Sequence, residues 1–253
     1  MCTIIAISNP NPDYRVIFLE NRDKPIEKFS GNQFRLLEEN MVASIFDTRS
    51  NGISCGYSIK TGLYAGVTNI HGYQGEKSRG ILLKNVLTGK SSLEDALLFM
   101  QNELRSGLYS AGCYLLGMGE NMFVLENFGS ELEVYGCGPR VVITNRLSRL
   151  RCPSQVEYSR RAEFVEEVFR KKREISLDEV ISIAGHHGNK DSVCRHKTTV
   201  ASFIVAEPRD EVGPKILYSL GEPCHGYDDV SRLSNLDSLD ADESIFTSFP
   251  LQR

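Results

Sequence analysis

The chain opens with the stretch Met1-Cys2-Thr3-Ile4-Ile5-Ala6-Ile7, in which a cysteine precedes an apolar, β-branched run. Such a run predicts a buried strand, and a strand would hold the first residues rigidly, whereas most chain termini fray. Because cysteine is small, removal of the initiator methionine would leave Cys2 with a free α-amino group and a thiol. Their ordinary pKa values are roughly 7.7–8.0 and roughly 8.5, so one residue can supply a nucleophile and its base. The alternative is that Cys2 is an ordinary small residue beside an initiator methionine.

The composition of the whole chain is that of an ordinary globular protein. It has 253 residues, of which 41% are hydrophobic and 25% are charged, and a core of this size needs no disulfide or metal. The net charge is −4 and the basic residues form no long tract, so we expect no binding to nucleic acid. No internal repeat or linker divides the chain. We therefore expect one domain over residues 1–253, with about 228–253 as a peripheral C-terminal segment.

The cysteines and the apolar segments indicate the cellular compartment of the protein. The seven cysteines are irregularly spaced and include no Cys-x-x-Cys pair. No apolar run approaches the roughly 18 residues of a spanning helix, and the N-terminus lacks the basic and apolar regions of a signal peptide. These features predict a cytoplasmic protein with free thiols and no membrane span.

Hydrophobic periodicity gives the order strands, two helices, strands, two helices, strands. The first two strands, Cys2–Ser8 and Arg15–Glu20, flank an Asn-Pro-Asn-Pro-Asp turn and form a hairpin. Helical periodicity marks four segments, at about residues 80–87, 92–104, 154–172 and 176–184. Because hairpins link the strands, we expect antiparallel sheets. Two helix pairs on two stacked antiparallel sheets predict an α+β fold, a four-layer α-β-β-α sandwich with helices on both outer faces.

Short polar motifs stand at the ends of the predicted strands. Asn21-Arg22-Asp23 follows the strand that pairs with the first one, which predicts that Arg22 and Asp23 lie beside Cys2. A polar loop with a local ion pair is the alternative interpretation. Three further candidates stand at strand ends or just before a strand, namely Asn69, Asn145 and Arg195.

Together these motifs carry two overlapping family resemblances. The Met-Cys start, Arg22-Asp23, Asn145 and Ser192-Val193-Cys194-Arg195-His196 are similar to the cysteine N-terminal-nucleophile hydrolases. These include the choloylglycine (bile-salt) hydrolases, the penicillin V acylases and the acyl-CoA:6-aminopenicillanic acid acyltransferase family. A second set resembles the NRDE-domain family, which includes transport and Golgi organisation protein 2, and consists of Asn21-Arg22-Asp23, Val67-Thr68-Asn69 and Ser78-Arg79-Gly80.

The first resemblance implies an enzyme that acts on a linear amide bond of a small molecule. Cys2 would attack the carbonyl carbon while its α-amine takes the thiol proton, and Asp23 would orient that amine. Arg22 and Arg195 would favour the thiolate by their charge. The acceptor of the acyl group, water or another amine, stays open, and the resemblance also predicts a homo-oligomer.

The same resemblance implies an oxyanion site. Asn69 and Asn145 would donate hydrogen bonds to the tetrahedral oxyanion, a contribution typically of roughly 3–4 kcal/mol for each donor.

The second resemblance implies instead a non-enzymatic factor that binds a lipid or a hydrophobic cofactor, with Cys2 unused as a nucleophile. His186-His187 with Cys194 and His196 could suggest a zinc site, but these residues match no common zinc-ligand spacing. The glycines form no phosphate-binding motif. For the enzyme we therefore predict neither a cofactor nor a metal.

Overall fold

The stretch that opens the chain forms β1, Thr3–Ser8, which pairs antiparallel with β2, Tyr14–Asp23. All residues of β1 are buried, because this strand is covered on both faces. Successive side chains alternate between the two faces of a strand. Ile4 therefore joins one core, between the sheets, and Ile5 joins another, beneath helices.

The structure is a computed structural model that describes residues 2–24, 31–146, 150, 160–187, 192–195, 198–210 and 212–231. Its other strands are β3 Asn32–Leu37, β4 Val42–Asp47, β5 Gly52–Ser58, β6 Leu63–Asn69, β7 Gly112–Met118, β8 Asn121–Phe128, β9 Glu131–Gly136, β10 Arg140–Ile143, β11 Thr199–Pro208, β12 Lys215–Ser219 and β13 Asp228–Asp229. The helices are α1 Arg79–Gly89, α2 Leu93–Arg105, α3 Arg160–Arg170 and α4 Leu177–Ala184.

These strands form two antiparallel sheets. In the described residues, the first sheet has the order β10-β1-β2-β11-β12-β13, and the second has β3 to β9 in sequence order. The first sheet brings distant parts of the chain together, because β1 pairs with β10 and β2 pairs with β11. The N-terminal strand is therefore central rather than at an edge.

Helices cover the outer face of each sheet. Leu83 of α1 and Met100 of α2 pack on the second sheet, whereas Val165 of α3 and Val180 of α4 pack on the first. A third core, which includes Phe18, lies between the two sheets. The predicted four-layer α-β-β-α sandwich is confirmed. None of the helices in the described ranges combines the length and apolar character needed to cross a membrane.

Several element boundaries differ from the predictions. The strand β2 continues through Asn21-Arg22-Asp23, which we predicted to follow the strand, because β11 pairs with it as far as Asp23. The strand β3 was not predicted, since its mixed polar sequence has little periodicity. Asp228–Asp229 pairs with β12, so the predicted peripheral segment begins as an edge strand. Residues 154–159 and 232–253 lie outside the described residues.

A close backbone approach fixes where α1 begins. A Cβ atom on Gly52 would lie 2.6 Å from the carbonyl carbon of Gly80, and one on Gly80 would lie 2.7 Å from the carbonyl oxygen of Ile53. Only glycine therefore fits at position 80, where the helix crosses β5. This crossing also sets the position of the preceding residue, Arg79.

We expect Gly80→Ala to destabilise the protein by about 1–3 kcal/mol, the usual cost of overpacking, because its Cβ would meet backbone atoms. Gly89→Ala in the same helix is the matched control, since nothing lies within 4 Å of its Cβ position. This control should change stability by less than about 1 kcal/mol and in the stabilising direction. Urea unfolding of the three proteins measures both effects, and equal stability of the two variants would contradict the packing argument.

Candidate functional site

Cys2 lies directly before β1 and is almost completely buried, with 6% of its surface exposed. Its Sγ lies 3.9 Å from the backbone oxygen of Asp23. Because side chains alternate along the strand, Cys2 belongs to the face of Ile4, which looks toward the second sheet. The thiol thus lies next to the end of β2 that carries the Asn-Arg-Asp motif.

The surroundings of Cys2 favour the neutral thiol. Burial raises the pKa of the Cys2 thiol, and the carboxylates of Glu20 and Asp23 raise it further, whereas the Arg22 guanidinium lowers it. Since the thiolate is the nucleophilic form, a reaction at this sulfur needs a base that takes its proton.

Arg22 and Asp23 occupy opposite faces of the first sheet, because β2 continues through both residues. The Arg22 guanidinium donates to Asp47 on the second sheet, with an Nη2 to Oδ2 distance of 2.7 Å. Lys24 shares the same carboxylate oxygen at 2.6 Å. We predicted both motif residues beside Cys2. The charge of Arg22 affects the thiol from the layer between the sheets, whereas Asp23 lies near the thiol through its backbone oxygen.

The Asp23 carboxylate is held from two sides in a buried network. Its Oδ1 accepts from the Thr199 hydroxyl at 2.8 Å, and its Oδ2 accepts from Nη1 of Arg161 at 3.2 Å. The same Nη1 donates to the Thr3 hydroxyl at 2.8 Å. The side chains of Arg161 and Asp23 are only 2% and 1% exposed. This network ties α3 to three neighbouring strands of the first sheet, directly beside Cys2.

Arg195 joins this network through its backbone. Its N–H donates to the Thr199 hydroxyl at 2.8 Å, and Thr199 in turn donates to Asp23. Burial lowers the pKa of Arg161, Asp23 opposes this effect, and the charge of Arg195 lowers the pKa further. Arg195 is therefore close to the buried ion pair, and Arg161, which we did not predict, makes the direct contact.

The two candidate asparagines meet although they belong to different sheets. Asn145 follows β10 and donates through Nδ2 to the backbone oxygen of Asn69, at the end of β6, at 2.5 Å. Beside this contact the Thr68 hydroxyl donates to the backbone oxygen of Thr144 at 2.8 Å. The two hydrogen bonds connect the first and second sheets at one end of the sandwich.

Two arginines near Cys2 were missed as site residues. Arg79 donates to the backbone oxygen of Ala111 at 2.5 Å; burial lowers the pKa of its guanidinium, and Tyr114 and Cys2 partly oppose this. Arg79 belongs to the Ser78-Arg79-Gly80 motif, which supports the second family resemblance. Arg161 had a clearer signal, because it stands four residues before Val165 in the buried stripe of α3.

Glu20 is a third missed residue, a buried carboxyl that directly follows the apolar residues 16–19 of β2. It is 1% exposed and faces the layer between the sheets, and neither oxygen has a hydrogen-bond partner of ordinary length. Burial raises the pKa of Glu20 to about 7, although Cys55, Arg22 and Ser54 lower it in part. The carboxyl therefore keeps its proton to a higher pH than an exposed glutamate does.

A cavity of about 560 Å³ lies beside β10, near the asparagine pair. Its lining includes the apolar side chains of Val124 and Phe169 and the basic residues Arg146 and Arg170. It also includes Thr144, the residue that precedes Asn145. Among the described residues that line it, Cys2 is absent. The cavity therefore adjoins the asparagine end of the site and not the thiol.

We expect Asp23→Ala to lower the free energy of unfolding by about 3–5 kcal/mol, because it leaves Arg161 buried without its partner. The exposed Asp210→Ala is the control and should change stability by less than about 0.5 kcal/mol. Denaturant unfolding measures both. The double variant Asp23→Leu with Arg161→Met should recover most of the loss, and a double variant as unstable as Asp23→Ala would contradict the ion-pair explanation.

We expect Glu20 to make stability depend on pH. A carboxyl whose pKa is raised on folding stabilises the folded state fully below its unfolded pKa of about 4.5, and this stabilisation is lost as the pH rises through about 7. Glu20→Gln should therefore match the wild type near pH 4.5 and exceed it by about 3 kcal/mol at pH 8.5. Urea unfolding across this range tests it, with the exposed Glu131→Gln as control; a pH-independent difference would contradict the assignment.

Comparisons with known proteins agree with this architecture. The family model for Transport and Golgi organisation 2 matches residues 1–191. Among solved structures, the fold is similar to that of penicillin V acylase from Agrobacterium tumefaciens, with a TM-score of 0.54 and 11% sequence identity, over 87% of this chain and 83% of that chain. At this identity the likeness shows the fold alone. No curated protein matches the sequence.

Proposed function

The chain belongs to the Transport and Golgi organisation 2 family, and from the setting of Cys2 within this fold we propose that it is an N-terminal cysteine nucleophile enzyme acting on a linear amide. The observation that carries the proposal is the position of Cys2. Cys2 is buried at the start of a central strand, next to the backbone of Asp23. The positive charges of Arg22 and Arg79 both interact with its thiol.

The proposed reaction begins with removal of Met1, which gives Cys2 a free α-amine. The amine takes the thiol proton, and the sulfur attacks the carbonyl carbon of the amide to form a C–S bond and a tetrahedral oxyanion. When this intermediate collapses, the C–N bond breaks and the protonated α-amine returns its proton to the leaving amine. Water or a second amine, deprotonated by the same α-amine, then attacks the thioester and releases Cys2.

The neighbouring groups have distinct roles in this proposal. Asp23 orients the α-amine, which its backbone oxygen can reach, since it already lies 3.9 Å from Sγ. Arg22 supplies positive charge that favours the thiolate. Asn145 and Asn69 stabilise the oxyanion, and the role of Arg195 is to hold Thr199 against Asp23.

The cavity and the cysteines support a proposal for the substrate class and for the cellular compartment. The cavity beside β10 has apolar walls together with three arginines and two glutamates, which fits an acyl chain with a polar end. The six cysteines in the described ranges are free thiols, in keeping with a cytoplasmic protein. We propose an N-acyl amide of a small molecule as the substrate.

Variants of the first two positions test the nucleophile. We expect Cys2→Ala to lower kcat/KM by at least about 1,000-fold, in line with other nucleophile deletions, while the circular dichroism spectrum is unchanged. Blocking removal of Met1 should be nearly as damaging, because the amine becomes an amide and can no longer act as a base. Cys137→Ala, in a half-buried cysteine, is the control and should keep full activity.

The assay screens N-acyl amides and β-lactams and follows the acyl-enzyme by intact mass. Loss of the Met1 mass and a single acyl adduct on Cys2 would support the enzyme. Cys2→Ser should keep the amine but lose most activity, since a hydroxyl is far harder to deprotonate than a thiol. Full activity with Met1 retained would rule out an N-terminal nucleophile.

A second candidate function is a non-enzymatic factor that binds a lipid or hydrophobic cofactor. Membership of the family favours it, and the cavity has the volume and the apolar walls for such a ligand. The same panel separates the two functions. Saturable binding of a fluorescent fatty acid that Cys2→Ala leaves unchanged, with no amide cleaved by the wild type, would make the binding factor the better assignment.

A further inference from the structure

Four side chains with metal-binding atoms meet beyond the end of α4. His187 follows that helix, Cys194 lies shortly before β11, and Glu222 and Cys224 belong to the turn after β12. One imidazole nitrogen, two sulfurs and one carboxylate oxygen all lie within 4.8 Å of one another. Three separate stretches of chain thus bring their potential ligands to one point.

This cluster differs from the one that the sequence suggested. That earlier set combined His187 with His186, Cys194 and His196, and its spacing matches no common zinc site. His196 lies outside the described residues. In the structure His186 turns away and stacks on the ring of Phe164, with centroids 4.7 Å apart. Glu222 and Cys224 complete the cluster instead of His186. They lie far from Cys194 in the sequence, so no ligand-spacing motif could have predicted this contact.

We propose that His187, Cys194, Glu222 and Cys224 bind one zinc ion. Zinc in proteins takes four ligands in a tetrahedron, at about 2.3 Å for sulfur and about 2.0–2.2 Å for nitrogen and oxygen. Ligand atoms then lie about 3.3–3.8 Å apart, so the cluster needs to contract by about 1 Å. Two thiolates with one imidazole select zinc over magnesium or calcium, which prefer oxygen ligands. Four protein ligands fill the tetrahedron, as in structural sites.

The backbone around the cluster is already arranged for this contraction. The N–H of Cys194 donates to the backbone oxygen of His186 at 3.3 Å, which fixes Cys194 against the end of α4. A Cβ on Gly185 would lie 3.3 Å from the Cα of Cys224, so the glycine lets the turn come close to the helix. Cys194 is buried, whereas His187 and Cys224 are exposed, which leaves a path for the ion to enter.

The ion would brace the segment that supports the candidate site. Val193, next to Cys194, accepts a hydrogen bond from the Asn21 side chain at 3.3 Å, and Arg195 on the other side holds Thr199. A zinc ion here would therefore fix both neighbours of Cys194 against the first sheet. This role is structural and holds whether or not the protein cleaves amides.

The test uses the full-length protein, stripped of metal with a chelator, reconstituted with zinc chloride and desalted. We expect inductively coupled plasma mass spectrometry to find close to one zinc ion per chain. We also expect the Tm of the stripped protein to rise when zinc is added back. Cys224→Ser and His187→Ala should weaken zinc binding by at least about 100-fold, since loss of an outer-shell partner alone costs about 10–100-fold. Both residues are exposed, so circular dichroism should show that the fold is kept.

Cys137→Ser and His225→Ala are the matched controls, one cysteine and one histidine outside the cluster, and should bind zinc like the wild type. Three outcomes would overturn the proposal. They are a folded wild type that takes up no stoichiometric zinc, unchanged zinc binding in Cys224→Ser, and an intact mass showing that Cys194 and Cys224 stay joined by a disulfide after treatment with a thiol reductant.

Discussion

The buried ion pair between Asp23 and Arg161 is the interaction on which the arrangement around Cys2 depends. Removing two charges from water is costly, and the pair is tolerated because each partner compensates the charge of the other and further hydrogen bonds support both. Thr199 and Thr3 supply those bonds, and they come from the strands on either side of β2. The pair therefore fixes β1, β2, β11 and α3 relative to one another at the point where Cys2 begins the first strand.

The strand geometry gives the two charged residues of the motif different surroundings. Arg22 faces the second sheet and shares Asp47 with Lys24, whereas Asp23 faces α3. Glu20 lies on the same face as Arg22 and is buried without a hydrogen bond of ordinary length. The layer between the sheets thus holds opposing charges close to the thiol, and burial together with the Glu20 carboxylate raises the pKa of Cys2. This is the physical reason why a base on the same residue is central to the proposed chemistry.

Much of the fold could be predicted because each helix buries one face, and because strands such as β1, buried on both faces, are short apolar runs. Period-two and period-3.6 patterns located most strands and all four helices, and hairpin turns implied antiparallel pairing. The strand β3 was missed because its mixed polar sequence carries little pattern. The end of β2 was misplaced because a polar triplet in a strand looks like a loop until a neighbouring strand, β11, pairs with it. Among site residues, Arg161 was missed although its spacing to Val165 and Phe169 placed a charge in a buried stripe.

The sequence by itself determined the layer architecture, the position of Cys2 at the start of a buried strand and the family motifs, because these depend on local patterns. Only the tertiary structure decided which residues meet. It placed Arg22 and Asp23 on opposite faces, paired Asp23 with Arg161, joined Asn145 to Asn69 and brought Cys224 beside Cys194. These contacts join segments that are far apart in sequence. Strand order and helix placement set their distances, and no local pattern in the sequence encodes them.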